Sequence, residues 1–182
     1  NQRGGRRGRQ MRVYKIGIIG HRPHRFTFSE TVRKTCAQVA LTLMDQYAPN
    51  QVRFNLNGLP GAGQWFGQAC LEYGINYHLF LPCDPAAYVS EWYQEQKDGF
   101  EKQLAECYGL TLANKELSKD TVCEAAQMLV DDSDFVVAFW EGYKSGLTYE
   151  TIKYGVETSK LVLDGARGLT LIAKKELVKD AK

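Results

Sequence analysis

The sequence lacks the features of a membrane or secreted protein. No stretch reaches the roughly 18 consecutive apolar residues that a membrane-spanning helix needs, and no charged segment precedes an apolar core as in a secretory signal. The cysteines, at positions 36, 70, 83, 107 and 123, are odd in number and too far apart for a Cys-x-x-Cys pair. We therefore expect a cytoplasmic protein with reduced thiols and no disulfide framework.

A strongly basic body is also missing. The 182-residue chain has 23 Lys and Arg against 21 Asp and Glu, but four of the arginines lie in residues 1–10, NQRGGRRGRQ. Taking these four from the 23 basic residues leaves 19 against 21 acidic ones, so the remaining chain has a net charge of −2. This slightly acidic charge argues against nucleic acid as a partner, except through the arginine-rich tail.

Residues 1–10 differ in composition from the rest of the chain. They contain no apolar residue and three glycines, which predicts a disordered tail. Met11 then begins MRVYKIGIIG, which resembles a native start, so we interpret the tail as upstream or artificial sequence. An RNA-binding arm of the RGG type and a solubilising arm are the alternatives. The domain is assigned to residues 11–182.

Strand and helix patterns alternate along this domain. Apolar runs typical of buried parallel strands lie at 13–19, 52–56, 76–81, 110–112, 135–140 and 161–163, and helical patterns at 29–44, 66–73, 91–107, 119–130 and 148–159. Ser29 and Gly74 suit the N-cap and C-cap of two of these helices. The order predicts a single-domain α/β fold: a Rossmann-like, doubly wound, mainly parallel sheet with helices on both faces.

Ligands of such sheets bind outside the carboxyl ends of the strands, and the first predicted strand ends at Gly20. Gly20 allows a sharp turn, and His21 can face a phosphate. Arg22 can hold a phosphate or carboxylate, although pairing with a surface acid is the alternative. His21 and His24 without a set of carboxylates are weak evidence for a metal, so no metal site is predicted.

The second strand is followed by a glycine-rich turn before a helix. Gly58, Gly61 and Gly63 are predicted to expose amide groups that favour an anion, although their spacing is not that of dinucleotide-binding enzymes. Gln64 adds an amide contact. Trp65 either covers a base or packs in the core, and its size favours the core.

The strand FVVAFW also ends in a polar turn before a helix. Hydroxyls and amides there are predicted to hold a phosphate, from the residues Lys144, Ser145, Gly146, Leu147 and Thr148. Glu141 and Glu150 lie beside this turn, where a carboxylate can bind ribose hydroxyls or stabilise an oxocarbenium-like centre. A favourable acid in the first turn of a helix is the alternative for Glu150.

Together these segments resemble the YpsA/YoqJ-like branch of the SLOG superfamily, the Rossmannoid group that includes LOG-type proteins and DprA. The matching pieces are IGIIGHRP, GLPGAGQWFGQACLEYG, FLPCD, the helix with Trp92 and Tyr93, and DDSDFVVAFWEGYKSGLTYETIKYG. They occur in the family order over most of residues 14–164. The resemblance implies a nucleotide at Gly20, His21 and Arg22 and a phosphate at residues 145–148.

The sequence departs from this family at three positions. Gly63 stands where the family usually has Asp before Gln-Trp, and Leu147 replaces one glycine of a Gly-Gly-Thr turn. The catalytic Glu of LOG-type proteins lies three residues after the Thr, where this chain has Thr151, while Glu150 lies two after Thr148. These departures favour binding over hydrolysis.

We therefore predict a sensor or sequestering protein for a nucleotide-type small molecule, such as an ADP-ribose-like or signalling nucleotide, with no cofactor. The alternative is a hydrolase or transferase that cleaves the N-glycosidic bond of nucleotides, of the phosphoribohydrolase or deoxyribosyltransferase type that the resemblance implies. Glu150 or Glu141 would then be catalytic. A homodimer is also expected through the helix at 91–107, on which Trp92, Tyr93 and Phe100 are predicted to be exposed.

Overall fold

A seven-stranded sheet forms the centre of the computed structural model, which describes residues 12–179. The strands are β1 (Tyr14–Gly20), β2 (Val52–Leu56), β3 (Tyr77–Leu81), β4 (Gly109–Leu112), β5 (Phe135–Phe139), β6 (Val162–Asp164) and β7 (Thr170–Leu171). Their order in the sheet is β4-β3-β2-β1-β5-β6-β7, and only β7 is antiparallel to its neighbour. The predictions for the arginine-rich tail lie outside the described residues.

Helices cover both faces of the sheet. They are α1 (Ser29–Gln46), α2 (Ala62–Tyr73), α3 (Pro85–Tyr88), α4 (Gln94–Glu106), α5 (Lys119–Asp131) and α6 (Gly146–Glu157), with 3₁₀ turns at Pro23–Arg25, Pro49–Gln51 and Lys174–Leu177. Side chains of α1, α2 and α4 share one core cluster with the sheet, and those of α5 and α6 share another. The predicted single-domain, Rossmann-like α/β fold is confirmed.

The two faces explain why the central strands are continuously apolar. In β5, Val137 and Phe139 belong to the first core cluster, while Val136 and Ala138 belong to the second. Successive side chains of a strand point to opposite faces, so a strand between two helix layers must be apolar at every position. The FVVAFW pattern therefore predicted the strand correctly.

The predicted helix at 91–107 begins later than expected. Residues 91–93 form a turn in which the Trp92 amide donates to the Val89 carbonyl at 2.9 Å, and α4 starts at Gln94. Phe100 is only 1% exposed and packs edge-on against Trp92, with ring centroids 5.6 Å apart. Tyr93, by contrast, is 81% exposed. The prediction that all three aromatic rings are exposed is therefore wrong, and the homodimer stays a prediction.

Two other helix ends refine the sequence predictions. Ser29 is the first helical residue of α1 and Phe28 is its N-cap, while the Ser29 hydroxyl donates to the Pro23 carbonyl at 3.1 Å. Gly74 does end α2, in the left-handed conformation with φ of 65°. None of the helices within residues 12–179 has the length and apolarity that crossing a membrane requires.

The strand order contains one reversal. From β1 the chain builds the sheet outward through β2, β3 and β4, and then returns to place β5 on the other side of β1. The connections that leave β1 and β5 therefore diverge to opposite sides of the sheet. Such a switch point opens a crevice at the carboxyl ends of the two strands, where doubly wound folds bind their ligands.

Candidate functional site

A cleft of about 200 Å³ lies at this switch point. It is formed by the turn after β1, one side chain from the turn after β2, and the first turn of α6. The lining residues are Gly20, His21, Arg22, His24, Arg25, Leu59, Ser145, Gly146, Leu147 and Thr148. The structure thus brings together the predicted site residues that follow β1 and most of those that follow β5.

The turn after β1 is held in place by β5 and α2. Gly20 pairs with Phe139 in the parallel register, and the His21 amide donates to the Phe139 carbonyl at 3.3 Å. The His21 carbonyl in turn accepts a hydrogen bond from the Ala62 amide at 3.2 Å. Both backbone groups of His21 are therefore fixed, which fixes the direction of its side chain.

The His21 ring is a buried polar group beside the cleft. It is 5% exposed and lies edge-on to the rings of Phe26 and Tyr143, at centroid distances of 5.6 and 5.5 Å. Its Nε2 has no hydrogen-bond partner among the described residues. Burial, with Arg25 and His24, lowers the pKa of His21 to about 4, so the ring is neutral near pH 7. An unsatisfied buried nitrogen costs about 1–3 kcal/mol, which a ligand can offset.

The N-terminus of α6 forms the opposite wall of the cleft. Gly146, with φ of 88°, lets the chain turn from extended backbone at Ser145 directly into the helix. Ser145 makes no side-chain capping hydrogen bond. The first amide groups of a helix have no partners within it, and the helix dipole favours negative charge there. This wall therefore suits a phosphate or carboxylate.

Two arginines add positive charge to the cleft. The Arg25 guanidinium lies 4.9 Å from the centroid of the Tyr143 ring, near the start of α6. Arg22 is exposed at the opening. None of the described residues that line the cleft is acidic. The cleft is therefore electropositive and suited to an anion.

The glycine turn after β2 supports the cleft and contributes little of its surface. Gly61, with φ of 96°, packs so closely on the His21 carbonyl that a Cβ would collide with it. A Cβ at Gly58 would meet the Phe100 ring, and one at Gly63 would meet the Asn57 amide. Among the described residues of this turn, only Leu59 lines the cleft.

Gln64, predicted to contact the ligand, joins α2 and α4 and is not among the described residues that line the cleft. Its Nε2 donates to the carbonyl of Gln96 at 2.9 Å, and its own carbonyl accepts from Gln103 at 2.8 Å. Trp65 packs against Phe26, with ring centroids 5.7 Å apart, in line with the core interpretation.

Three predicted residues after β5 lie outside the cleft lining. Glu141 accepts a hydrogen bond from the Thr27 amide at 3.3 Å, which joins the two turns behind the cleft. The Lys144 ammonium donates to the Val178 carbonyl at 2.6 Å. Glu150 is exposed, lies 3.8 Å from Lys153, and lines a different cavity together with Cys123 of α5. Neither candidate catalytic glutamate is among the residues that line the cleft.

Sequence reasoning missed three lining residues, His24, Arg25 and Leu59. Arg25 reaches the start of α6 because residues Pro23–Arg25 form a 3₁₀ turn that folds the segment back. The signal was Pro23, which favours the first position of such a turn. Among residues 12–179 no three His, Cys, Asp or Glu side chains group as a metal site would require.

Structural comparisons identify proteins with the same fold. No protein-family model and no curated protein sequence matches the chain. The structural-genomics protein TM1055 is 16% identical, with a TM-score of 0.56, and the match covers 87% of this chain and 76% of that one. The molybdenum cofactor binding protein of the phototrophic bacterium Rippkaea orientalis is 15% identical, with a TM-score of 0.57 over 85% of this chain and 77% of its own.

DNA processing protein A of Helicobacter pylori, described for its single-stranded DNA binding, also shares the fold. It is 13% identical, with a TM-score of 0.60, and the match covers 83% of this chain but only 64% of that protein. At these identities the similarity concerns the fold.

Proposed function

We propose that this protein binds a nucleotide or nucleotide-derived ligand in the cleft, with a phosphate at the N-terminus of α6. The observation that carries the proposal is the 5%-exposed His21, whose Nε2 has no hydrogen-bond partner among the described residues and which lines the same cleft as the first residues of α6. A neutral His21 can exchange a hydrogen bond with a phosphate or ribose oxygen, while Arg22 and Arg25 supply positive charge. Gly58, Gly61, Gly63 and Gln64 then act by holding this frame.

We propose that the chain acts as a sensor or sequestering protein in the cytoplasm and not as a glycosidase. The absence of acidic residues from the described lining of the cleft supports this choice. Cleavage of an N-glycosidic bond uses a carboxylate next to the ribose, and Glu150 lines another cavity, which among the described residues shares only Leu147 with the cleft. The shared fold of the structural neighbours supports membership of the SLOG superfamily. The YpsA/YoqJ-like branch is proposed from the sequence motifs alone.

Calorimetric titration tests the binding proposal. Inorganic phosphate, ribose 5-phosphate, AMP and ADP-ribose are titrated into the protein, with adenosine as the uncharged control. We expect the phosphate-bearing nucleotides to bind at least about tenfold more tightly than adenosine, because a charged hydrogen bond contributes about 1.5–3 kcal/mol. Binding of none of these compounds, or equal binding of adenosine and AMP, would contradict the proposal.

Chromatography of the same mixtures tests the choice between binding and cleavage. Nucleoside monophosphates and ADP-ribose are incubated with the protein, and the supernatant is assayed for the liberated base. We expect no base above the protein-free control. Base release above that control would contradict the proposal, and its loss in Glu150→Gln would assign the cleavage to that residue.

A further inference from the structure

A second and larger cavity adjoins the cleft. It has a volume of about 500 Å³ and shares Arg22, Leu59 and Leu147 with the cleft lining. These three side chains form the boundary between the two spaces, so a ligand that lies against them can extend into both. We call the second cavity the aromatic chamber.

Aromatic and aliphatic side chains form most of the chamber. Tyr88 and Trp92, from α3 and the turn before α4, lie edge-on with ring centroids 4.9 Å apart. Leu117, the residue before the N-cap of α5, and Val122, in the first turn of α5, also line it. The polar residues of the lining are Ser90, Glu91, Ser118 and Lys119, besides the shared Arg22.

The positions of Tyr88 and Trp92 are fixed from behind. The Tyr88 hydroxyl donates to the Asn57 carbonyl at 2.9 Å, and both rings pack edge-on against the buried Phe100. The aromatic wall is therefore pre-organised by the core and does not depend on a ligand to form it. Such rigid aromatic walls suit planar, weakly polar groups.

The sizes of the two cavities indicate how they are used. Sites for small organic ligands are usually about 300–1,000 Å³, and the cleft alone, at about 200 Å³, is smaller than that. The cleft accommodates the anionic end of a nucleotide but leaves no room for its base. The adjoining chamber has the volume and the apolar surface that the cleft lacks.

We infer that the aromatic chamber holds the base of the nucleotide whose phosphate binds at the N-terminus of α6. This inference rests on the proposed function and adds the part of the ligand that the cleft does not explain. Arg22 lies at the junction, where the ribose and its phosphate meet. The serines, Glu91 and Lys119 offer hydrogen bonds to the edge of the base, which makes the chamber the specificity-determining part of the site. Glu91 is assigned to the base and not to the ribose, because it lines the chamber and is not among the described residues that line the cleft.

A comparison of ligands with and without a base tests the inference. AMP, GMP, CMP, UMP and ribose 5-phosphate are titrated calorimetrically into the wild type and into Val122→Trp, in which the added ring fills the chamber. We expect at least one mononucleotide to bind about tenfold or more tighter than ribose 5-phosphate, from base stacking. Val122→Trp should remove that advantage and leave the affinity for ribose 5-phosphate unchanged.

The control is Leu171→Trp, which adds the same ring at a 58%-exposed position on β7, outside the chamber lining. It should change neither affinity. Leu117→Asp, at a 45%-exposed position of the chamber, gives a second variant if Val122→Trp fails to fold by circular dichroism. It should also lower the mononucleotide affinity selectively.

The outcomes separate the inference from the proposed function. If ribose 5-phosphate binds as tightly as every mononucleotide, or if neither chamber variant changes mononucleotide affinity, the chamber is not a base site although the cleft still binds phosphate. If the wild type binds neither ribose 5-phosphate nor any mononucleotide, the proposed function fails and the inference fails with it.

Discussion

Charged side chains lie at both ends of the sheet, but they differ in whether they have partners. Those around Asp132, at the amino ends of the strands, are paired, and the two arginines of the cleft, at the carboxyl ends, are not paired within residues 12–179. At the amino ends of the strands, Asp132 accepts hydrogen bonds from Arg53 at 3.1 Å, from Asn55 at 3.2 Å and from Lys15 at 3.2 Å. At the carboxyl ends, neither Arg22 nor Arg25 has an ion-pair partner among the described residues. Among the described residues, the charges around Asp132 are therefore paired with one another, whereas those of Arg22 and Arg25 are not.

This difference helps to distinguish polar residues that stabilise the fold from polar residues that are candidates for ligand binding. Arg53 Nε and Asn55 Oδ1 are buried without a partner among the described residues, but Arg53 Nη2 and Asn55 Nδ2 both donate to Asp132. His21 has an unpartnered Nε2 next to a cleft lined by cations, with no acid to balance them. The type of residue is therefore less informative than whether its partners lie within the protein.

The largest effect is expected where the frame of the site is most tightly packed. Gly61→Ala should lower the free energy of unfolding by about 4 kcal/mol, because it combines backbone strain with a collision against the His21 carbonyl. Gly74→Ala is the matched control, since Gly74 also has a positive φ of 65° but nothing within 4 Å of its Cβ position. Gly74→Ala should lower the free energy of unfolding, measured by urea titration, by only about 1 kcal/mol. Equal costs would contradict the close packing of the two turns.

The pH dependence of stability should reveal the buried neutral His21. Its pKa is lowered from 6.5 to about 4 in the folded protein, so the unfolded chain takes up the proton first as pH falls. Its contribution is complete above about pH 6.5 and is lost towards pH 4, by about 3 kcal/mol at about 1.4 kcal/mol per pH unit. Urea unfolding at pH 7 and pH 4.5 should show a smaller loss in His21→Gln than in the wild type.

The exposed His24 provides the control for this experiment. His24→Gln should retain most of the wild-type loss of stability with acid, because burial is the largest cause of the lowered pKa of His21 and His24 is the smallest. His78, whose pKa is also lowered by burial, titrates in all three proteins and so does not affect the comparison. An equal acid loss in His21→Gln and the wild type would show that His21 is not held neutral.

Removing a cleft cation should weaken phosphate binding. Arg25→Ala should lose about 2 kcal/mol of binding free energy for AMP, or roughly 30-fold in affinity, with Arg22→Ala in the same range. Arg33→Ala, which removes an exposed arginine 3.7 Å from Glu30 on α1, should leave the affinity unchanged. Calorimetry on the three variants measures the difference, and unchanged AMP affinity in both cleft variants would exclude the arginines from the site.

The smallest effect is expected at the amino ends of the strands, where the charges are paired. Asp132→Ala should lower the free energy of unfolding by about 1 kcal/mol, because its side chain is 35% exposed and solvent screens the pairs with Lys15 and Arg53. AMP affinity should not change. A loss of AMP affinity larger than that in Arg25→Ala would place the binding site at the wrong end of the sheet.

The apolar runs were sufficient to predict the fold, but only part of the site. The turn at residues 145–148 could be located because a glycine follows a buried strand and precedes a helix, which is a local pattern. The role of Arg25 could not, because it depends on a 3₁₀ turn that brings the side chain to a helix 121 residues later in sequence. That contact comes from the packing of β1 beside β5.

The glycines after β2 and the glutamate of α6 show the same limit. The sequence of a glycine-rich turn is the same whether the glycines make room for a ligand or for side chains of the protein. Here the Phe100 ring and the Asn57 amide occupy the space beside Gly58 and Gly63. Glu150 is close in sequence to residues 145–148, the predicted phosphate turn, but its position on α6 places it in a different cavity, which Cys123 also lines. The spacing of Glu150 from Thr148 in the sequence did not show on which side of α6 the Glu150 side chain lies.

A crystal structure of the protein with AMP tests the central claim most directly. The account predicts the phosphate within hydrogen-bond distance of the amides at residues 146–148, with Arg25 and the His21 Nε2 against the ligand. A phosphate bound instead beside Lys15 and Arg53, at the other end of the sheet, would contradict it.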